Sequence, residues 1–531
     1  MPNELKFTSE QEAITEAMRC SQGEATSLVI EAGAGCAKST TIEAGARGIR
    51  GPALAVAFGA RDAERMGKKF PPNFLSKSFN SLGNGAWNRR VGFAKPDDKK
   101  MGNIVTQLGK DDGITWAGDN WLEVVRVASL AMHAGIVPEE FAHLGEGLTP
   151  NSEGEWLRIA SDVVLDQSDA GVVVEYARRA LVMDIEQALL AKISFDDQVY
   201  CPTLFGGQFP TFQNIVVDED QDLSPLNVRM IERCMRGDAA RVIAVGDRRQ
   251  GIYAFRGALG DAADQLRLLR SARPWQEFPL MTTFRCPKVV VERQLRHVPG
   301  FTAWEGSPEG KVKSLIRLEG EGWNWQDIQG EAAEIAEAEG RTPSITVVCR
   351  NNGPLLSMAF KLIRQGISIQ VLGREIGKGL IALSRKLVPD DGASALTCQM
   401  EIDKWRDEQT SELLANGKEE KIAGIADKAE CLFAVLNGGA RDAGTLRRML
   451  ESLFARTDGR VILSTIHKIK GHEADIVVLL DPWRIPSKWA RRALEGGNGI
   501  PFEQEMNLRY VAETRTRRTL ILADIGDFSI I

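Results

Sequence analysis

Ser27-Leu-Val-Ile30 is a short apolar run that leads straight into Glu31-Ala-Gly-Ala-Gly-Cys-Ala-Lys38-Ser39-Thr40. The stretch from Ser39 to Arg47 then has the composition of a helix. A strand, a loop of small residues and a Lys-Ser pair at a helix start together predict a phosphate cradle. The loop N–H groups and the helix N-terminus face an anion there. Lys38 is placed to reach β- and γ-phosphates, and the Ser39 hydroxyl to ligate Mg²⁺. The strict pattern has Gly where Ala32 and Ala37 stand, and the competing reading is a Gly/Ala-rich turn before a core helix.

A second segment narrows the choice. Asn214-Ile-Val-Val217 is an apolar strand ending in Asp218-Glu219-Asp220-Gln221-Asp222. Ligands of α/β proteins collect at the carboxyl ends of parallel strands. An Asp at such an end holds Mg²⁺, and the Glu beside it orients a water against a γ-phosphate. The alternative, a solvated acidic loop, does not account for the Lys38-Ser39 loop elsewhere in the same chain.

Length, charge and composition bound the rest. A chain of 531 residues predicts several domains, and 43% apolar residues supply ordinary cores. The formal charge is −6, so a nucleic-acid surface would be a local groove and not a basic face. The eight cysteines (Cys20, Cys36, Cys201, Cys234, Cys286, Cys349, Cys398, Cys431) form no CxxC pair. That argues against a zinc site or a disulfide framework and for a reducing compartment. The N-terminus lacks a signal-peptide layout, and no apolar run reaches transmembrane length. A soluble cytoplasmic protein is expected.

Along the chain the pattern is α/β, interrupted twice. Residues 1–90 carry the phosphate loop, the strand Ala53–Phe58 and the segment Lys77–Leu82. Residues 91–189 change to helical periodicity, at 119–135, 153–167 and 171–190. Strands return at Asn214–Val217 and Arg241–Val245 within 190–280. From 281 a second α/β unit is predicted, with strands near Ile345–Cys349, Val461–Thr465, Ile476–Leu480 and Thr519–Ala523. It spans 281–384 and 456–531 and is interrupted by a polar helical region at 385–455. The expected fold is therefore two P-loop-type α/β domains, each a parallel sheet flanked by helices with a helical insertion, and a cleft between the paired sheets.

Further segments carry chemistry. In Val245-Gly-Asp-Arg-Arg-Gln250-Gly-Ile-Tyr-Ala-Phe255-Arg-Gly-Ala258, Gln250 at a strand end suits a γ-phosphate sensor. Phe255, in a loop rich in Arg, suits stacking on an unpaired base; taken alone it reads better as core. Thr282-Thr-Phe-Arg285-Cys-Pro287, Ser464-Thr-Ile-His467-Lys-Ile-Lys470-Gly-His-Glu473 and the helical run Glu505–Arg515 complete the set. A lone Arg515 is ordinarily a surface ion-pair partner, and its meaning comes from the set.

In this order the set resembles the UvrD/Rep group of superfamily 1 DNA helicases, across nearly the whole chain. Phe7-Thr-Ser-Glu-Gln11 is similar to the N-terminal glutamine motif that reads adenine, residues 32–39 to motif I and Ala55–Phe58 to motif Ia. Ser78-Phe-Asn-Ser-Leu82 resembles the Thr-Phe-His-Ser-Leu segment, and Ile193-Ser-Phe-Asp196-Asp197 the Asp-Phe-Asp-Asp stretch before motif II. Asp218–Asp222 resembles motif II, Gly246–Ala258 motif III, Thr283-Phe-Arg285 motif IV, Thr465–Glu473 motif V and Tyr510–Arg515 motif VI. The motif III pattern points away from the Pif1-like branch.

The resemblance implies two RecA-like cores, ATP and Mg²⁺ as ligands, and 3′-to-5′ movement along single-stranded DNA. It assigns the nucleotide to Gln11, Ala32, Gly33, Ala34, Gly35, Cys36, Ala37, Lys38, Ser39, Thr40, Phe284 and Glu473, with Phe284 stacked on adenine. Asp218 holds Mg²⁺ with Ser39, and Glu219 orients the water. Gln250, Arg285 and Arg515 contact the γ-phosphate, Arg515 as arginine finger, while Phe58, Phe255 and His467 face DNA. Four positions depart from the pattern: Ala37 for Gly, Thr40 for an Arg over the adenine, Asn80 for His and His472 for Leu. The second insertion is short, and the chain ends too soon after Arg515 for the nuclease of the RecB-like branch. The rival reading is a DNA-binding regulator with weak or no ATPase activity. A P-loop ATPase unrelated to nucleic acid leaves Phe255, Phe284-Arg285 and the motif V segment without a role.

Overall fold

The computed structural model describes residues 6–19, 26–114, 120–161, 163, 169–237, 240–251, 266, 275–315, 323–415, 419–497 and 499–526. They divide into two compact units: Met1–Ala32 with Ala37–Met281, and Gly33–Cys36 with Thr282–Ile531.

The strands of the first unit are β1 (Ser27–Ala32), β2 (Ala53–Ala57), β3 (Phe74–Ser78), β4 (Lys95–Pro96), β5 (Lys192–Ile193), β6 (Asn214–Asp218), β7 (Arg241–Gly246) and β8 (Trp275–Leu280). Six of them form one sheet in the order β3-β2-β6-β7-β1-β8, every neighbour parallel. A parallel sheet covered on both faces has no solvent side. That is why β2, β6 and β7 read as continuous apolar runs and are buried at every position. The order also sets function. β6, β7 and β1 are neighbours, so the loops that follow them emerge side by side at one sheet edge, with Asp218 in register with Val245 and Glu31 with Gly246. β4 and β5 pair separately as a short parallel ladder. β2 stops at Ala57, one residue short of the expected end, so Phe58 lies beyond the strand.

The helices Lys100–Asp111, Asn120–Ala134, Glu153–Ser161 and Ala170–Leu189 lie between β4 and β5. Their apolar faces meet in a core of their own, with Ile104, Val127, Trp156, Val173 and Leu181 at its centre. The sheet keeps a separate cluster around Val56, Ile215, Val217 and Ala244.

The second unit has β9 (Thr282–Thr283), β10 (Thr302–Ala303), β11 (Lys311–Ser314), β12 (Ile345–Cys349), β13 (Ile369–Val371), β14 (Val461–Thr465), β15 (Ala474–Leu480) and β16 (Thr516–Ala523). Six of these form a second all-parallel sheet, ordered β11-β16-β15-β12-β14-β13. β15 and β16 begin earlier than the apolar pattern predicts. In β16 the first residues are the polar Thr516-Arg517-Arg518. In β15 the reason is Asp475, a charge inside the strand: it is 1% exposed and accepts from Arg341 Nη1 and Nη2 at 2.8 and 2.7 Å and from Ser344 N and Oγ at 2.8 Å each. A buried carboxylate is tolerated when its lone pairs are filled in this way, and these donors, the Arg341 guanidinium foremost, hold its pKa down at about 2. Helices Ala395–Ala415, Glu419–Asn437 and Ala443–Ala455 interrupt this unit. They share one apolar cluster with the sheet, Ile402, Leu432 and Leu450 packing into the same core as Val347 and Ile476.

Candidate nucleotide site

In the first unit, the loop after β1 turns at Ala37 into the helix Lys38–Ala46. Ala37 has φ 58° and ψ 36°, the left-handed region that favours glycine. Glu219, just past β6, is also left-handed, with φ 57°. Strain of this kind persists where the surroundings over-determine it, which is characteristic of binding sites.

These two turns aim their neighbours at each other. Lys38 Nζ lies 3.0 Å from Glu219 Oε1. Burial opposes the lysine's charge, but the carboxylates of Glu219, Asp218 and Asp247 outweigh it and raise its pKa. Asp218 is pushed up to about 6 by burial and then by the charge of Glu219. Asp220 is pushed up to about 7 by burial and then by Glu31. Glu31, at the end of β1, is itself raised by burial against the pull of Arg248, 3.2 Å away. One sheet edge thus carries a half-buried cation among five carboxylates, the electrostatic frame of a phosphate and metal site.

Gln11 sits in the helix Ser9–Met18 and is 2% exposed. Its Oε1 accepts from Thr8 N at 3.0 Å in a capping box, and its Nε2 donates to Thr41 Oγ1 at 3.1 Å, tying the glutamine segment to the helix that carries Lys38 and Ser39. Gln250 is buried and donates from Nε2 to Asp247 Oδ2 at 2.7 Å. Phe58 is 45% exposed, its ring edge-on to Phe79 with centroids 6.1 Å apart. Asn80 Nδ2 donates to Phe195 O at 3.1 Å, and Phe195 is a second exposed aromatic, which the sequence pattern did not single out. Phe255 lies outside the described residues.

Within the second unit, hydrogen bonds with Tyr510, Thr283 and Phe284 hold the segment Gly33–Cys36. Ala34 N donates to Tyr510 Oη at 2.7 Å, Thr283 Oγ1 to Ala34 O at 2.7 Å, and Phe284 N to Gly35 O at 3.0 Å. Gly35 has φ +73°, and a Cβ there would fall 2.5 Å from Arg285 Cβ, so no other residue fits. Phe284 is 39% exposed and its ring tilts against Trp304. Arg285 pairs through Nε with Glu473, which also pairs with Arg517. Arg515 is buried; its Nε donates to Val511 O at 3.0 Å and its Nη2 reaches Thr514 Oγ1 at 3.4 Å. His467 is half-buried, and burial followed by the charge of Arg350 pushes its pKa down to about 4, leaving a neutral ring at neutral pH. Tyr510, Thr283, Trp304 and Thr41 had no assigned role in the sequence; each is an ordinary residue type whose partner is distant in the chain.

Two family models match stretches of the chain. Residues 201–267 match the UvrD/REP helicase N-terminal domain and residues 404–525 the UvrD-like helicase C-terminal domain. Both stretches are thus similar to domains of UvrD/Rep-like helicases. The F-box DNA helicase protein 1 of Schizosaccharomyces pombe is 25% identical over 363 residues, covering 66% of this chain and 37% of that protein. The ATP-dependent DNA helicase UvrD2 of Mycobacterium tuberculosis is 28% identical over 360 residues, covering 59% of this chain and 47% of that protein. The F-box DNA helicase 1 of Gallus gallus is 23% identical over 495 residues, 88% of this chain and 44% of its own. The chain therefore spans less than half the length of these relatives. Among the described residues no helix is long and apolar enough to cross a membrane.

One substitution tests the cradle directly. An alanine in the left-handed region costs about 1–2 kcal/mol that glycine avoids. Ala37→Gly is therefore expected to tighten ATP binding, by up to about tenfold at 1.4 kcal/mol per decade. Titration of the two purified proteins with nucleotide decides: equal or weaker affinity in the variant would show that Ala37 costs the loop nothing.

Proposed function

We propose that the chain is an ATP-dependent DNA translocase and helicase that moves 3′-to-5′ on single-stranded DNA. The observation that carries the reading is the Lys38–Glu219 pair, 3.0 Å apart between the loops that follow β1 and β6, beside buried Asp218. A phosphate-loop lysine, a carboxylate able to orient water and an Asp at a strand end form the constellation for γ-phosphate transfer to water.

The residues then divide the work. Lys38 and the N-terminus of its helix neutralise the β- and γ-phosphates, and Glu219 positions the attacking water. Ser39 and Asp218 offer one hydroxyl and one carboxylate. Among the described residues no group of three or more His, Cys, Asp or Glu could hold a metal by itself. Such a sparse set of hard oxygens fits Mg²⁺, which keeps waters and phosphate oxygens in its shell. When bound, the ion neutralises charge that develops on the phosphates. Gln11 and Phe284 serve the adenine, and Gln250, Arg285 and Arg515 meet the γ-phosphate. Phe58 and Phe255 offer aromatic faces to unpaired bases, and neutral His467 a hydrogen-bonding ring.

The strained Ala37 favours a second reading, a DNA-binding regulator with weak ATPase activity. Turnover measured with and without single-stranded DNA separates the two. Stimulation of about tenfold or more supports the translocase. Intact ATP and DNA binding with negligible turnover in both conditions supports the regulator.

A further inference from the structure

The pairing of Glu219 leaves open what fixes its second oxygen, and the answer is a residue with no assigned role. Gln221 lies two residues on, in the short turn Asp220–Asp222, and is 5% exposed. Its Nε2 donates to Glu219 Oε2, while its Oε1 accepts from Asp247 N at 2.9 Å. The amide orientation follows from the chemistry. Reversed, it would set a carbonyl against a carboxylate and an NH₂ against an N–H. Asp247 in turn accepts Gln250 Nε2 on Oδ2 at 2.7 Å and Arg249 N on Oδ1 at 3.1 Å. Gly246 permits the approach, because a Cβ at that position would collide with Gln221 Oε1.

We infer that Gln221 is a positioning residue that locks Glu219 to the loop after β7. The connected chain is Lys38, Glu219, Gln221, Asp247, Gln250, drawn from the ends of three adjacent strands. Lys38 and Gln221 hold one carboxylate oxygen each, so the rotation of Glu219 is fixed. A displacement of Gln250 is carried through Asp247 and Gln221 to the group that orients the water. Only glutamine does this: glutamate would oppose Glu219 with a second charge, and asparagine is one methylene too short. The inference rests on the ATPase reading above.

The test is steady-state hydrolysis in the full chain by Gln221→Leu, Gln250→Ala and the double variant, with affinity for a fluorescent ATP analogue and melting measured alongside. Gln221→Leu is expected to lower kcat by about ten- to a hundredfold, the worth of a hydrogen bond to a charged group. Nucleotide affinity and melting temperature should stay close to wild type. If Gln221 acts through Gln250, the double variant is no slower than the worse single variant by more than about threefold. Wild-type kcat in Gln221→Leu, losses that multiply in the double variant, or a fall in affinity and melting in step with kcat would each overturn the inference while wild-type hydrolysis stands. A wild-type chain that hydrolyses no ATP would overturn the functional reading and this inference together.

Discussion

Lys38→Ala is expected to lower ATP turnover by at least about 10²–10³-fold, the loss seen when one preorganised donor to a developing negative charge is removed. Lys38 is the cation at the N-terminus of its helix, and it lies 3.0 Å from Glu219. Burial opposes its charge, yet the neighbouring carboxylates, Glu219 first, outweigh burial and raise its pKa. Its removal also takes away the charge that lowers the Asp218 pKa most, so that buried carboxyl is protonated more readily. Nucleotide affinity should fall too, because a lysine on the phosphates acts in the ground state as well as in the transition state. The variant should still melt cooperatively, since β6 is buried throughout, β1 is buried at every position but Glu31, and their apolar runs do not involve Lys38. Near-normal turnover in a folded Lys38→Ala protein would remove the loop after β1 from the phosphates.

Glu219→Gln separates binding from chemistry. The amide keeps the size of the side chain but cannot accept a proton from water or attract Lys38 as a charge. A positioned general base contributes about 10²–10⁴-fold, and the expected loss in kcat is of that order, with ATP affinity unchanged or tighter because one negative charge beside the phosphates is gone. Single-turnover hydrolysis with equilibrium binding measured in parallel is the appropriate pair of measurements. Loss of nucleotide binding together with turnover would make Glu219 a structural residue that holds Lys38.

What the sequence made legible follows from periodicity and from covalent proximity. β2, β6, β7, β12 and β14 are central strands of parallel sheets, and their unbroken apolar runs announced them. β3, β8 and β11 are edge strands with polar, partly or fully exposed residues such as Lys77, Glu277 and Lys313, which give them little to separate them from loops, and β13 is an edge strand of only three residues, too short for a periodic signal. Asp475 hid the start of β15, because the charge is compensated by Arg341, more than a hundred residues earlier. At the site, Lys38, Asp218 and Glu219 were readable because strand ends mark ligand positions and acid pairs mark metal and water chemistry. Gln221 was not, since its meaning comes from the hydrogen bond to Asp247, and no spacing rule encodes that partner. Glu31 was hidden for the same reason: an acid beside a phosphate loop gains a role only through Arg248 and Asp220. Ala37 is the opposite case. Its identity posed the question of a positive φ, and only the backbone angle answered it.

The most direct measurement of the central claim is strand displacement on partial duplexes that differ only in the polarity of a single-stranded tail, with and without ATP. A 3′-to-5′ translocase loads on the tail and is expected to separate the 3′-tailed duplex with ATP, to leave the blunt and 5′-tailed duplexes largely intact, and to do nothing without nucleotide. Lys38→Ala should be silent on all three. Separation of the 5′-tailed duplex alone would contradict the polarity, and no ATP-dependent separation of any substrate, by a chain that binds both ATP and single-stranded DNA, would contradict the account as a whole.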